Sequence, residues 1–72
     1  MRFFLRTDGR TYSILSAATD LLGDVVVVTI HGSQRSRMGG IKTYVAEDFM
    51  AAEKMVARIA ATRINHGYQE QL

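Results

Sequence analysis

Four β-prone segments followed by one acid-led helix predict an α+β fold, with an antiparallel sheet and a C-terminal amphipathic helix packed on one face. Three observations carry the prediction. Residues 25–31 read VVVVTIH, a β-branched run suited to a pleated, half-buried surface. Glycine-bearing segments at 8–9, 20–24 and 32–40 punctuate the chain into strand-length pieces. Residues 48–65 hold neither Gly nor Pro and are rich in Ala, Met, Glu, Lys and Arg, as a helix requires.

In chain order, residues 2–7 (RFFLRT) alternate Arg2, Phe4 and Arg6 against Phe3, Leu5 and Thr7, a strand whose second face is the more apolar although Phe4 blurs it. Asp8-Gly9 signals a hairpin turn. Residues 11–17, with Arg10 at their start, form the second strand, while Ala17-Ala18 also admits the beginning of a helical turn. Residues 20–24 (DLLGD) make the next turn, and the third strand follows at 25–31. Four successive valines call for apolar contacts on both faces and place this strand centrally. Residues 41–46 alternate again and make a fourth strand, antiparallel to the third across a long hairpin loop.

The helix aligns Phe49, Ala52, Val56, Ile59, Ala60 and Arg63 on one stripe. Asp48 suits its amino cap, and Asn65-His66-Gly67 ends it, with Gly67 in the left-handed terminal position and His66 as a helix-end cap. Met50, Met55 and the alanines read as core and flank. Tyr68 folds back onto the helix end, and residues 69–72 are expected to fray.

Size and composition narrow the function. Seventy-two residues make one small domain, and 47% hydrophobic with 22% charged residues describes a globular chain. No cysteine means no disulfide and no zinc-cysteine site, and His31 and His66 are too few and too distant to suggest a metal. No cofactor is expected. Arg6 and Asp8 interrupt any leader-like apolar region, and no apolar run has membrane-spanning length, so a cytosolic protein without a membrane partner is expected. A net charge of +2 leaves the matter of nucleic acid to charge distribution.

That distribution points to residues 31–40, HGSQRSRMGG, which hold two arginines and no acid. Arg35 and Arg37 suit bidentate contacts to phosphate oxygens, and Ser33, Gln34 and Ser36 add donors. Gly32, Gly39 and Gly40 permit close backbone approach. His31 can stack on a sugar or base, and Lys42 adjoins the patch. The plainer readings are a solvated hairpin loop, a half-buried structural His31, and strand charges at Arg2, Arg6 and Arg10 that guard against edge pairing or extend the cationic surface. Arg63, on a mainly apolar stripe, suggests a structural role. No catalytic set can be assembled, and so thin a domain is expected to offer little pocket volume, so an enzyme is not expected.

The order of these pieces resembles the WGR domain family, named for a Trp-Gly-Arg motif after a central strand. The resemblance rests on Asp8-Gly9-Arg10-x-Tyr12, Asp24-Val25-Val26-Val27, His31-Gly32 where Trp-Gly is expected, Gly39-Gly40 and Lys42. It continues with the acid-led helix bearing Ala52, then Arg63 and Gly67-Tyr68, and so covers nearly the whole chain. The motif departs: His31 stands for the tryptophan, Ser33 for the arginine, and the loop is one residue longer. The family occurs in poly(ADP-ribose) polymerases, where the motif face contacts DNA ends and neighbouring domains, and in bacterial proteins including relatives of a molybdate-metabolism regulator. The resemblance implies a sheet of about five strands with one helix, and a non-catalytic module binding DNA. The alternative reading is a protein-interaction module, docking a partner or itself through the same face, and the chain is expected to be a monomer or weak homodimer.

Overall fold

The alternation of burial along the valine run sets the architecture. Val25, Val27 and Thr29 are buried, whereas Val26 and Val28 are half-buried and Ile30 is exposed. In an extended strand alternate residues face opposite sides, so one side of this strand lies in the core and the other does not. The computed structural model describes residues 1–18, 24–34 and 39–71. In it the chain folds as an α+β unit in which one helix packs against a five-stranded antiparallel sheet.

The strands are β1 (Arg2–Leu5), β2 (Arg10–Ala18), β3 (Val25–Ser33), β4 (Gly40–Ala46) and β5 (Gln69–Gln71), with helix α1 (Phe49–Asn65) before the last. Their spatial order is β4-β3-β2-β1-β5, so β3 is internal, as its double-sided apolar pattern requires. The register pairs Ile14 with Thr29, Val27 with Tyr44 and Phe4 with Tyr12. Paired residues share a face, which puts Phe4, Ile14, Val25, Val27 and Ala46 together beneath the helix with Ala52 and Ala60. Phe4 is fully buried, and its truncation to Ala would cost about 3–5 kcal/mol.

Several expectations need correction. β1 ends at Leu5, and its core-facing side is that of Phe4, not the Phe3–Leu5 side. Arg2 shares the Phe4 side because its guanidinium reaches outward over the Phe4 ring to Glu70, leaving its stem as cover. Ala17 and Ala18 extend β2 instead of starting a helical turn. The expected turn at 20–24 lies outside the described residues except for Asp24. Residues 69–71 do not fray: they pair with β1 through Phe4 and Glu70, and a bidentate Arg2–Glu70 ion pair at 2.6–2.7 Å clasps the two strands. Phe49 does not join the inward stripe but is 58% exposed, and the buried helix positions are Ala52 and Ala60.

The helix ends as its sequence dictates. Asp48 accepts from the Ala51 N–H at 2.7 Å, a cap typically worth about 1 kcal/mol. At the other end His66 is the cap residue, Gly67 N–H donates to Ile64 O and Tyr68 N–H to Arg63 O. This double bond pattern needs a left-handed residue at Gly67, whose φ is +91°. The reversal turns Tyr68 inward, where it is 7% exposed and meets Tyr12 edge-on with ring centroids 6.2 Å apart.

Candidate nucleic-acid interface

Helix α1 packs against β2, β3 and β4, and its last turns stand beside the ends of these strands nearest His31. There a cleft of about 450 Å³ opens between the helix and the sheet. β2 supplies Arg10 and Tyr12, β3 supplies His31, and β4 supplies Lys42 and Tyr44. The last turns of α1 add Arg58, Ile59, Thr62 and Arg63, and Tyr68 closes the inner end. The volume falls in the ~300–1,000 Å³ range typical of ligand clefts, more than the little pocket volume expected of so thin a domain.

Period-2 geometry explains the sheet side of the cleft. Arg10 and Tyr12 are two residues apart, as are Lys42 and Tyr44, so each pair shares the helix-side face of its strand. His31 lies between them, paired with Tyr12 on one side and Gly40 on the other. Gly40 leaves room for the His31 ring: a Cβ there would stand 2.5 Å from Nε2, at the far end of that side chain. On the helix, Arg58 and Thr62 are one turn apart, and the Thr62 hydroxyl donates back to Arg58 O at 3.0 Å.

The lining is cationic and, among the described residues, carries no acid. Arg10 lies 3.7 Å from Asp8 at the margin, whereas Lys42, Arg58 and Arg63 form no ion pair among the described residues. The Arg63 guanidinium sits 4.6 Å from the Tyr12 ring centroid and 5.9 Å from that of Tyr68. Its Nε is buried without a hydrogen-bond partner among the described residues. Like charges facing one recess repel, and an anion placed there relieves that repulsion.

The expected site residues divide. His31 and Lys42 are brought together in the cleft. Gly32 and Ser33 belong to β3 and not to the loop. Ser33 opposes Arg10 on the cleft side, and Gly32 opposes Thr11 on the other face. Gln34 is exposed, its N–H bonded to Gly9 O at 2.9 Å, which ties the start of the loop to the β1–β2 turn. Arg35, Ser36 and Arg37 lie outside the described residues. Arg2 and Arg6 do not extend the patch, because Glu70 and Asp8 neutralise them. Arg63, expected to be structural, stands in the cleft wall.

Tyr44 and Arg58 were not singled out by the sequence, although a signal existed. The pattern of a basic residue two positions before a tyrosine occurs in both β2 and β4, at Arg10-x-Tyr12 and Lys42-x-Tyr44. No family model, curated protein or solved structure matches the chain.

Proposed function

We propose that the chain is a non-catalytic, WGR-like module that binds nucleic acid, DNA in the first instance, in the cleft between α1 and β2–β4. One observation carries this reading: a recess lined by Arg10, Lys42, Arg58 and Arg63 together with His31 and three tyrosines, and, among the described residues, by no carboxylate. The cations match phosphate oxygens, and the exposed rings of His31 and Tyr44 offer stacking surfaces for a base. A cleft of this size holds about one nucleotide, so an unpaired base or strand end suits it better than the groove of an intact duplex. The loop arginines Arg35 and Arg37 extend the phosphate contacts along the strand.

The test is fluorescence anisotropy with labelled single-stranded, duplex and 5′-phosphorylated DNA at two salt concentrations. Binding should be salt-dependent and weakly sequence-specific. Lys42→Ala/Arg58→Ala, which removes two exposed cations, should reduce the slope of log affinity against log salt by about 1.4 for single strands, at ~0.7 per phosphate contact. Absence of binding by the folded wild type at low salt would sink the reading.

A further inference from the structure

The face of the sheet opposite the helix is as apolar as the face the helix covers. Phe3, Leu15, Val26 and Val28 run across its middle, and Ile30, Ile41 and Val45 continue it to the β4 edge. Ile41 is 70% exposed, Val45 63% and Ile30 40%. The remaining strand positions on this side are Thr, Ser, Gln, Gly or Ala, apart from the half-buried Leu5, and none carries a charge. Among the described residues, every Arg, Lys, Asp and Glu lies elsewhere.

We propose that this face is a homodimer interface, two copies packing sheet against sheet about a twofold axis. The area fits. The five strands, spaced ~4.8 Å apart with ~3.3 Å per residue, give about 500 Å² in plan. Side chains raise the accessible area above that, toward the ~800 Å² per partner of a standard interface. The absence of charge also fits, because in a twofold contact a patch meets itself and any charged position meets a like charge. A neutral, aliphatic, β-branched surface is complementary to its own copy and offers an acidic or basic partner nothing to pair with. A domain with so few fully buried side chains gains a second core layer by this packing, at the ~10 Å sheet separation of a sandwich. The helices and basic clefts then face outward on opposite sides.

Sedimentation equilibrium of the full chain from about 1 to 100 µM should give twice the 8.0 kDa chain mass at the upper end. Ile41→Lys/Val45→Lys places charge at exposed positions of an edge strand, where monomer packing is little affected. This variant should sediment as a monomer throughout, with the wild-type circular dichroism spectrum. Thr43→Lys, between the two on the same face, repeats the test should the double variant unfold. Met50→Lys/Ile64→Lys, at helix positions 67% and 54% exposed, should remain dimeric. Wild type sedimenting at the chain mass throughout would overturn the proposal and leave the face to another partner. Dimers persisting in both the Ile41/Val45 and Thr43 variants would overturn it by placing the contact elsewhere, such as the open β4 edge.

Discussion

The Arg63 guanidinium lies 4.6 Å from the centroid of the Tyr12 ring, and its buried Nε has no hydrogen-bond partner among the described residues. A cation held over an aromatic face gains about 0.5–2 kcal/mol, depending on desolvation. That gain partly offsets the unmet hydrogen bond and holds a positive charge at the back of the cleft. Arg63→Met keeps an apolar stem of similar reach and removes the charge. Binding of single-stranded DNA should fall about tenfold, which is ~1.4 kcal/mol, while the melting temperature changes little. Arg63→Ala should also lower the melting temperature, because it deletes a half-buried side chain beside the Tyr12 and Tyr68 rings. Anisotropy and thermal melts on the two variants separate the roles of charge and packing.

Thr29 is 1% exposed, sits between Ile14 and Lys42 in the register, and has a buried hydroxyl with no hydrogen-bond partner among the described residues. An unmet buried hydroxyl costs about 1–3 kcal/mol. Thr29→Val keeps the branched shape and removes the polar atom. It should stabilise the protein by about 1 kcal/mol, raising the melting temperature by ~4–8 °C for a domain of this size. Calorimetry checks the sign. A lowered melting temperature would mean that the hydroxyl has a partner in solution, such as an ordered water.

The sheet was legible because its signals are local: a β-branched run, Asp8-Gly9, and alternation in β4. The helix was legible because capping and period coincide between Asp48 and Gly67. Phe4 misled because a buried aromatic flanked by Arg2 and Arg6 resembles an exposed position until Glu70 and Asp8 are known to neutralise the two cations. β5 was illegible because Gln69-Glu70-Gln71 has no strand signal of its own. Its pairing depends on the Gly67 reversal and on an ion pair 68 residues apart in sequence. The candidate site was half legible. His31 and Lys42 stand near each other in sequence, but Arg10, Arg58 and Arg63 join them only when helix and sheet are superposed.

Asp8 ties the β1–β2 turn to the arginines. It accepts from Arg6 Nη2 at 2.7 Å and from the Arg10 backbone N–H at 3.1 Å. The Arg6 hydrogen bonds, then the Arg10 amide, hold its carboxyl down at about 2, from an ordinary value of 3.8. A carboxylate whose folded value is depressed contributes stability above its unfolded value and loses it as pH falls through the folded one. The contribution should therefore be intact above about 4 and fade between about 4 and 2. Asp8→Asn should flatten the pH dependence of the melting temperature in that window and leave it unchanged near neutrality in slope. The effect will be small, because an exposed pair is screened by water and salt. Glu70, held down by Arg2, should retain the remaining slope in the Asp8→Asn variant.

Gly40 and His31 give the sharpest test of cleft geometry. A Cβ at Gly40 would stand 2.5 Å from His31 Nε2 and 3.1 Å from Cε1, so the imidazole must swing aside. The ring is the end of an exposed side chain and is able to yield, so Gly40→Ala should cost little stability. Gly39→Ala is different: its Cβ would collide with the His31 carbonyl oxygen, which belongs to the β3 backbone. That variant should lose stability outright. If His31 stacks on a bound base, Gly40→Ala should weaken single-stranded DNA binding about as much as His31→Ala does, several-fold for a lost stacking contact of ~1 kcal/mol. In the His31→Ala background Gly40→Ala should then have no further effect, because the group it displaces is already gone. Additive losses in that double-mutant cycle would show that His31 is not the contact through which Gly40 acts.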